Sequence, residues 1–233
     1  MRDGGVIISI GGGGFTHGTD PELDDFCLHF LPAMPDIGYI GWANGDDETR
    51  LARFYARFHG RARSLSHLPQ GATAAAAQDW LAGKHLVYLA GGNTLALVGA
   101  MQSGGLLPVF LAANRSGCLL AGVSAGGVCW FDWILSDSLG DGYAPLGGLG
   151  AVTGGICPHY SSETARKPAF ERALFGPLAG PAYAVDDGAC LVSAKGAAQS
   201  CFSVRGDRSA YRLTRQGGRV VTQKMPEFAA NRA

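Results

Sequence analysis

The sequence predicts an α/β fold in which a mostly parallel sheet is flanked by helices on both faces, with antiparallel strands at the C-terminal edge. Short apolar runs alternate with helical or loop segments over most of the chain, which is the order expected of parallel strands joined by crossover helices. From Ala189 onward the apolar runs are separated only by turn residues such as Lys195-Gly196. That pattern is typical of antiparallel strands.

The parallel part of the sheet is predicted from short apolar runs bounded by turn residues. They cover residues 6–10, 37–41, 86–90, 118–122, 155–157 and 182–185, and the C-terminal strands cover 189–193, 200–204, 209–213 and 219–222. Helices are predicted between these strands. In segment 47–59, apolar residues at three- and four-residue intervals predict an amphipathic helix. The other predicted helices cover residues 21–30, 73–81, 95–101 and 166–175.

The composition favours one domain over residues 1–233, with residues 226–233 as a loose tail. Lys and Arg (19) balance Asp and Glu (19), so the charge predicts no nucleic-acid partner. Hydrophobic residues make up 47% of the chain and charged residues 16%, which leaves room for an apolar interface and a homodimer. No apolar run is long enough to span a membrane and the first is too short for a signal peptide, so we expect a cytoplasmic protein.

No metal or cofactor is expected. The six cysteines form no C-x-x-C pair and lie mostly in strand-like segments, as small core residues do. No two histidines have the spacing of a metal-binding pair. Four glycines at positions 11–14 follow the first strand, where a dinucleotide-binding loop would lie. The G-x-G-x-x-G pattern is not completed, however, because Thr16 takes the third position.

A serine between glycines follows the apolar run 118–122. Gly122, Ser124 and Gly126 fit the G-x-S-x-G spacing of a nucleophile elbow, in which small neighbours allow a strand to turn sharply into a helix. The serine hydroxyl would then be exposed at the carboxyl end of the sheet, and the N–H of Ala125 would face an oxyanion formed there. The same residues also fit an ordinary strand-to-helix turn with a capping serine.

A second glycine-rich segment follows the run 86–90. It reads Gly91-Gly92-Asn93-Thr94 and opens a predicted helix, so it supplies backbone N–H groups without helical partners. The N–H of Gly92 together with that of Ala125 would make an oxyanion hole with two donors. The alternative is an ordinary helix start that Asn93 or Thr94 caps.

His159 is the histidine best placed to act as a general base, because it follows a predicted strand and comes after Pro158. The other histidines, His17 among them, have no comparable position. An aspartate would have to orient the imidazole and stabilise its charged form. The candidates are Asp186 and Asp187 after strand 182–185, and Asp132, Asp137 and Asp141 after the serine turn. The residues alone do not decide among these aspartates.

Four segments in this order resemble the peptidase E (aspartyl dipeptidase) and cyanophycinase family of serine peptidases. They read Gly-Gly-Asn-Thr, Gly-Val-Ser-Ala-Gly-Gly, Cys-Pro-His-Tyr and Val-Asp-Asp-Gly-Ala, and the resemblance extends from the first strand to about Val192. It implies a fold similar to that of class I glutamine amidotransferases, with a serine in place of the nucleophilic cysteine.

The resemblance implies a role for each matching residue. Ser124 matches the nucleophile and His159 the base. Asp187 matches the position of the carboxylate, where the family has a glutamate, and Asp137 lies nearest to an alternative carboxylate.

Further matches concern substrate binding. Gly92 and Ala125 match the oxyanion-hole donors, and the adjacent Asn93 and Thr94 are expected to contact substrate. Arg166 is the nearest counterpart of an arginine that binds the acidic side chain of the substrate in aspartyl dipeptidase, although its distance from His159 along the chain is shorter here. A solvated arginine in the first turn of a helix is the alternative.

The resemblance therefore implies a serine peptidase that hydrolyses short peptides, Asp-X dipeptides among the candidates, through a Ser-His-Asp triad and an acyl-enzyme. Two alternatives remain at this point. One is a cyanophycinase-like isopeptide hydrolase with the same triad and another pocket. The other is a binding module that keeps an amidotransferase-like fold without activity.

Overall fold

The computed structural model of the protein describes residues 5–178 and 180–229. In these residues the chain forms two sheets. The first sheet has the order β11-β10-β1-β5-β4-β2-β3, and the second has the order β13-β12-β9-β8-β6-β7. Parallel pairing joins β1, β5, β4, β2 and β3 in the first sheet and β6, β8 and β9 in the second, while the remaining pairs are antiparallel.

The strands have the following bounds. They are β1 Val6–Ile10, β2 Asp36–Ile40, β3 Ser64–His67, β4 Leu86–Leu89, β5 Leu119–Val123, β6 Phe131–Ser136, β7 Ala144–Gly147, β8 Val152–Cys157, β9 Ala182–Val185, β10 Ala189–Ala194, β11 Ala197–Ser203, β12 Ala210–Gln216 and β13 Arg219–Lys224. The helices are α1 Gly14–His17, α2 Glu22–Leu28, α3 Glu48–Phe58, α4 Ala74–Leu81, α5 Thr94–Ser103, α6 Leu107–Arg115, α7 Ala125–Val128 and α8 Arg166–Ala173. A 3₁₀ turn covers Trp42–Asn44.

The first sheet is buried on both faces, as parallel sheets require. Along β1, Ile8 and Ile10 pack with the aromatic side chains of α2 and α3, whereas Ile7 packs on the opposite face with residues of α4, α5 and α6. The second sheet contributes Ile134 and Ile156 to the same cluster as Ile7, so the two sheets share one core. Its outer face is covered by α8 through Phe170.

The predicted α/β class with helices on both faces is confirmed, but the strands are divided between two sheets. The reason lies after the serine turn, where only Cys129 and Trp130 separate α7 from β6. With α7 included, the whole connection from β5 to β6 is only seven residues, Ser124 to Trp130, whereas a return to the first sheet as a parallel strand needs a crossover of about a dozen residues or more. β6 therefore starts a new sheet. The elements that the sequence analysis did not predict are β3, β6, β7, α1 and α6.

The C-terminal residues up to 229 are held in place, which corrects the predicted loose tail for 226–229. The N–H of Cys201 donates to the carbonyl of Pro226 at 2.8 Å, and the N–H of Phe228 donates back to the carbonyl of Cys201 at 2.7 Å. The ring of Phe228 lies 5.1 Å from that of Phe26. Residues 230–233 of the predicted tail lie outside the described residues.

Within the described ranges, no single helix has the length and apolar composition needed to cross a membrane. One pair in this part of the chain, α5 with α6, meets both conditions when taken together, and the two helices are bent by 90° where they join.

Candidate active site

Ser124 lies in a sharp turn between β5 and α7. Its backbone has φ 49° and ψ −125°, a conformation that side-chain-bearing residues rarely adopt and that costs on the order of 1–3 kcal/mol. The glycines around it allow the helix to approach the sheet. A Cβ at Gly126 would lie 2.2 Å from the carbonyl oxygen of Leu89, and one at Gly122 would lie 2.5 Å from the backbone of Gly126. The G-x-S-x-G spacing thus has a steric basis here.

His159 and Asp187 form a close pair. The Nδ1 atom of His159 lies 2.7 Å from Oδ1 of Asp187, and the two side chains are 13% and 35% exposed. Partial burial raises the pKa of Asp187, but hydrogen bonds from His159 and Ser162 and the charge of His159 outweigh it and hold the pKa below its ordinary value of 3.8. Because the carboxylate is hydrogen-bonded to Nδ1, the Nε2 atom of the imidazole is left to exchange a proton with another group.

The loop that carries His159 is anchored by its neighbours. His159 has φ 54°, the second strained residue of the site. The N–H of Tyr160 donates to the carbonyl of Val185 at 3.1 Å, which ties the loop to the end of β9 just before Asp187. Asp186 faces inward instead, where it accepts hydrogen bonds from the N–H of Ser209 and the hydroxyl of Tyr211.

The carboxyl end of β1 lies between Ser124 and the His159–Asp187 pair. The N–H of Ser124 donates to the carbonyl of Ile10 at 2.9 Å, and Gly12 forms a bridge with Asp187. All three side chains therefore lie at one edge of the first sheet. No hydrogen bond joins Ser124 Oγ to His159 in the part of the chain that the structure describes. Such bonds often tighten only when substrate binds.

Gly12 is a site residue that the sequence analysis missed. A Cβ at this position would lie 2.0 Å from Oδ1 of Asp187 and 2.8 Å from Nδ1 of His159, so only glycine leaves room for the pair. The glycine run at 11–14, considered above only as a dinucleotide loop, thus packs against the imidazole and carboxylate. The position of this run at the carboxyl end of β1 was the feature of the sequence that could have indicated its role in the site.

His17 is the second residue that the sequence analysis missed. Its ring lies 5.9 Å from that of His159, in an edge-to-face arrangement, although no comparable position was expected for it. The four-residue helix α1 turns the chain back after the glycines and brings His17 to the site. Its proximity further lowers the pKa of Asp187.

The other candidate aspartates lie elsewhere. Asp137 is exposed in the turn after β6, and among the described residues it makes no hydrogen bond with His159. Asp132 accepts a hydrogen bond from the N–H of Gly154 at 2.7 Å, and Asp141 is exposed. Of the five candidates, Asp187 is the one that contacts the imidazole.

Two backbone N–H groups lie near the serine without an acceptor among residues 5–178 and 180–229. They belong to Gly92 and to Ala125, the first residue of α7. The segment of Gly92 lies beside the serine, because a Cβ at Gly91 would be 3.2 Å from Cβ of Ser124. This arrangement provides two donors for an oxyanion.

Asn93 and Thr94 form the start of α5. The side chain of Asn93 accepts a hydrogen bond from the N–H of Ala96 at 2.9 Å, so it caps the helix. The N–H of Thr94 donates to the hydroxyl of Ser138 at 3.0 Å, and Thr94 is buried. Asn93 is exposed at the same edge of the sheet as Ser124, whereas the burial of Thr94 leaves it little room to contact a ligand.

Arg166 is buried and already partnered. Its Nε atom donates to Oε2 of Glu163 at 2.7 Å, one terminal nitrogen donates to the carbonyl of Leu135 at 3.1 Å, and the guanidinium lies over the ring of Tyr143. The side chain is 5% exposed, so Arg166 is not the solvated residue of the alternative prediction. A guanidinium neutralised in this way is also a poor receptor for an acidic substrate side chain.

No three His, Cys, Asp or Glu side chains in the described part of the chain are arranged to hold a metal ion. A cavity of about 690 Å³ lies between α4 and α6, where Lys84, His85 and Cys118 line it. These residues precede β4 and β5, so the cavity is at the opposite end of the strands from Ser124.

The sequence is similar to that of known peptidases. The model of the family described as Peptidase family S51 matches residues 7–201. The uncharacterized peptidase YgaJ of Bacillus subtilis strain 168 is 32% identical over 213 residues, which cover 89% of this chain and 91% of that protein.

Two crystal structures share the fold. A peptidase from an acI-B1 actinobacterium superposes with a TM-score of 0.71 at 16% identity, over 97% of each chain. A candidate peptidase E protein from Listeria monocytogenes EGD-e superposes with a TM-score of 0.61 at 13% identity, over 95% of this chain and 99% of that one.

Proposed function

The chain belongs to peptidase family S51 and is therefore a hydrolase, and from this premise we propose that it cleaves short peptides as a serine peptidase with Ser124 as nucleophile. His159 is the general base and Asp187 the carboxylate that orients it. The N–H groups of Gly92 and Ala125 stabilise the oxyanion. No cofactor takes part in this chemistry.

The reaction follows from the positions of these groups. His159 removes the hydroxyl proton as Ser124 Oγ attacks the scissile carbonyl, and the oxygen of the tetrahedral intermediate accepts hydrogen bonds from Gly92 and Ala125. His159 then gives the proton to the leaving amine, and an acyl-enzyme remains. Water, activated by the same imidazole, releases the acid and restores the serine.

The hydrogen bond between His159 and Asp187 is the observation that carries the proposal. It fixes the proton on Nδ1, so that Nε2 is free to accept a proton from the serine. The strained backbones of both Ser124 and His159 support it further, because strain of this kind persists mostly at functional sites.

The proposed substrate is a short peptide, and the surroundings of Arg166 influence which side chains that peptide carries. Asp-X dipeptides are the class that the resemblance suggests. Since Glu163 already neutralises Arg166, we expect no strong preference for an acidic first residue. A panel of dipeptides with acidic, neutral and basic first residues, assayed beside a β-linked aspartate polymer, measures this preference and separates a dipeptidase from an isopeptide hydrolase.

Two substitutions test the triad. Ser124→Ala should abolish hydrolysis of the best substrate in the panel, together with labelling by a fluorophosphonate probe. Asp187→Asn should lower kcat about 10⁴-fold, as in other Ser-His-Asp triads, because an amide no longer fixes the imidazole tautomer.

Asp137→Asn is the matched control, since Asp137 is exposed and, in the described part of the chain, makes no hydrogen bond with the imidazole. Its activity should stay within about twofold of wild type, as for most surface substitutions. Full activity in Ser124→Ala, or a larger loss in Asp137→Asn than in Asp187→Asn, would contradict the assignment. A folded wild-type protein that the probe does not label would indicate a binding module instead.

A further inference from the structure

The peptide bond between Gly91 and Gly92 is held on its carbonyl side by two donors. A terminal nitrogen of Arg50 lies 2.8 Å from the oxygen of Gly91, and Nδ2 of Asn44 lies 3.2 Å from the same oxygen. Arg50 comes from the first turn of α3, and Asn44 from the 3₁₀ turn after β2. Two separate elements therefore fix one carbonyl group.

The following residues fix the other end of the segment. Gly92 has φ 145°, and a Cβ there would lie 2.2 Å from the carbonyl oxygen of Ala43, so the backbone is pressed against this neighbour. The N–H of Asn93 donates to the same oxygen at 2.7 Å. Gly92 has little freedom to rotate between these anchors.

The anchored carbonyl determines where the N–H of Gly92 points. In a trans peptide the carbonyl oxygen and the amide hydrogen lie on opposite sides of the bond. Because Arg50 and Asn44 hold the oxygen, the N–H must point away from α3. Gly91 adjoins Ser124, and the described residues offer no acceptor to this N–H.

Arg50 and Arg53 both donate to backbone carbonyls, whereas the later arginines on this helix and its continuation pair with carboxylates. Arg57 pairs with Asp24 and Asp25, and Arg61 pairs with Asp25. Within the described ranges Arg50 pairs with no carboxylate, and its guanidinium donates to the carbonyl of Gly91. Its positive charge therefore acts on one peptide group without an opposing carboxylate. A charged donor at a carbonyl polarises the whole peptide and strengthens the N–H as a donor.

We propose that Arg50 is a positioning residue of the oxyanion hole, which aims and polarises the N–H of Gly92 by holding the carbonyl of Gly91. This proposal rests on the proposed function, because it concerns the same oxyanion. An oxyanion donor is effective only when it is fixed before the charge develops. Arg50 supplies that fixation from outside the reacting atoms.

The rate of inactivation by a fluorophosphonate tests the role of Arg50 without knowledge of the substrate. In this reaction Ser124 Oγ bonds to phosphorus, fluoride leaves, the serine proton goes to His159, and the phosphoryl oxygen takes the place of the oxyanion. Arg50→Met should slow labelling about tenfold, which is less than the roughly 100-fold or larger effect of losing a whole oxyanion donor. Arg50→Lys should recover part of the rate, because an ammonium group can donate to the same carbonyl.

Arg61→Met is the matched control, since it removes a neighbouring arginine that pairs with Asp25 at the surface. Its labelling rate should equal that of wild type. With the best substrate of the panel, Arg50→Met should lower kcat about tenfold or more and leave KM within about twofold, because the interaction grows in the transition state. If Arg50→Met slowed the reaction only by disturbing the fold, its Tm would fall together with the rate, and Arg50→Lys would not restore the rate.

If Arg50→Met does not fold, Asn44→Asp provides the second variant. This substitution keeps an oxygen that accepts the N–H of Asp47, but it removes the amide group that donates to the carbonyl of Gly91. The labelling rate should therefore fall again. Equal rates in wild type and in the folded variants, with Ser124→Ala unlabelled, would overturn the role of Arg50 alone. Labelling of Ser124→Ala at the wild-type rate would overturn the proposed function itself.

Discussion

At the scale of the residue, the site depends on backbones that few residues tolerate. Ser124 and His159 both have positive φ values although neither is a glycine. Each is held there by its neighbours, Ser124 by the contact of α7 with the sheet and His159 by the attachment of Tyr160 to β9. Gly12 completes the arrangement by leaving a space that the imidazole and carboxylate fill.

Substitution of Gly12 by alanine should separate the His159–Asp187 pair. The added methyl group would lie within 2.0 Å of the carboxylate, so one of the two side chains must move. We expect kcat to fall at least about 100-fold, comparable to a displacement of about 1 Å in a catalytic group. Steady-state kinetics with the best substrate measures this effect.

Gly99→Ala is the control for Gly12→Ala. Gly99 is exposed on α5, with open space around its Cβ position, and alanine there should stabilise the helix by about 1 kcal/mol. Its activity should be unchanged. An active Gly12→Ala enzyme would show that the pair tolerates a side chain at this position.

The sequence indicated several of these residues because they follow strands whose apolar runs are easy to recognise. Ser124, His159 and Asp187 were identified in this way, with the resemblance deciding among the aspartates. Gly12 and His17 were not, because their roles depend on contacts across β1 and on the unpredicted turn α1. The burial of Arg166 likewise depends on Glu163 and Leu135, which no pattern along the helix reveals.

At the scale of the element, α3 joins the loops at the carboxyl edge of the first sheet. Besides the bond from Arg50, Arg53 donates to the carbonyl of Thr16 at 3.1 Å. Arg57 donates to the fully buried carboxylate of Asp24, which also accepts the N–H of Phe15 at 2.9 Å. Asp24 therefore links α1, α2 and α3. Burial raises its pKa from 3.8 to about 6, although Arg57 opposes the shift.

Asp24 should make the stability of the protein depend on pH. Because its pKa is higher in the folded than in the unfolded state, the native state binds the proton more tightly, and stability from this group falls as pH rises from about 4 to about 6. Two pKa units correspond to at most about 3 kcal/mol. Asp24→Asn removes the titration. Urea unfolding at pH 4 and pH 7.5 should show wild type losing stability relative to Asp24→Asn at the higher pH.

A constant difference between the two proteins across this range would contradict the assignment to Asp24. The hydrogen bond from Arg57 favours the ionised carboxylate, so it opposes the expected change, and its effect is already contained in the raised pKa of Asp24. Glu163 and Asp187, whose pKa values are lowered, titrate in both proteins and cancel in the comparison.

The elements that the sequence predicted are those with clear boundaries. The helix α3 was found from its apolar spacing, and β1 and β9 were predicted with their observed bounds. By contrast, β3 and β7 are short and partly exposed, so their residues carry no apolar run. The strand β6 was missed because it follows the short helix α7 almost directly, without the longer connection that separates the strands of the first sheet's parallel part.

At the scale of the whole molecule, the two sheets and the C-terminal residues form one packed body. Pairing of strands was not predictable beyond the parallel part, because it depends on which sheet a strand joins after a short connection. The aromatic cluster of Phe26, Phe30, Phe202 and Phe228 joins α2, β11 and the C-terminal segment. This segment therefore contributes to the stability of the first sheet.

Phe228→Ala should destabilise the protein by about 2 kcal/mol, below the 3–5 kcal/mol of a fully buried phenylalanine, because Phe228 is partly exposed. Thermal and urea unfolding measure the change. Phe175→Ala is the control, since Phe175 is 44% exposed and should lose less than about 1 kcal/mol. Equal effects of the two substitutions would indicate that the aromatic cluster adds no stability.

The six cysteines are all buried and unpaired, and burial raises the pKa of Cys118 and of Cys157 to about 12. Thiolate is the form that reacts with maleimides and iodoacetamide, so the folded protein offers these reagents almost no target. A single cysteine introduced on the surface can therefore carry a fluorophore or spin label with the native sequence otherwise intact. Motions of the loops around Ser124 become measurable in this way, and the enzyme can be stored without reducing agents.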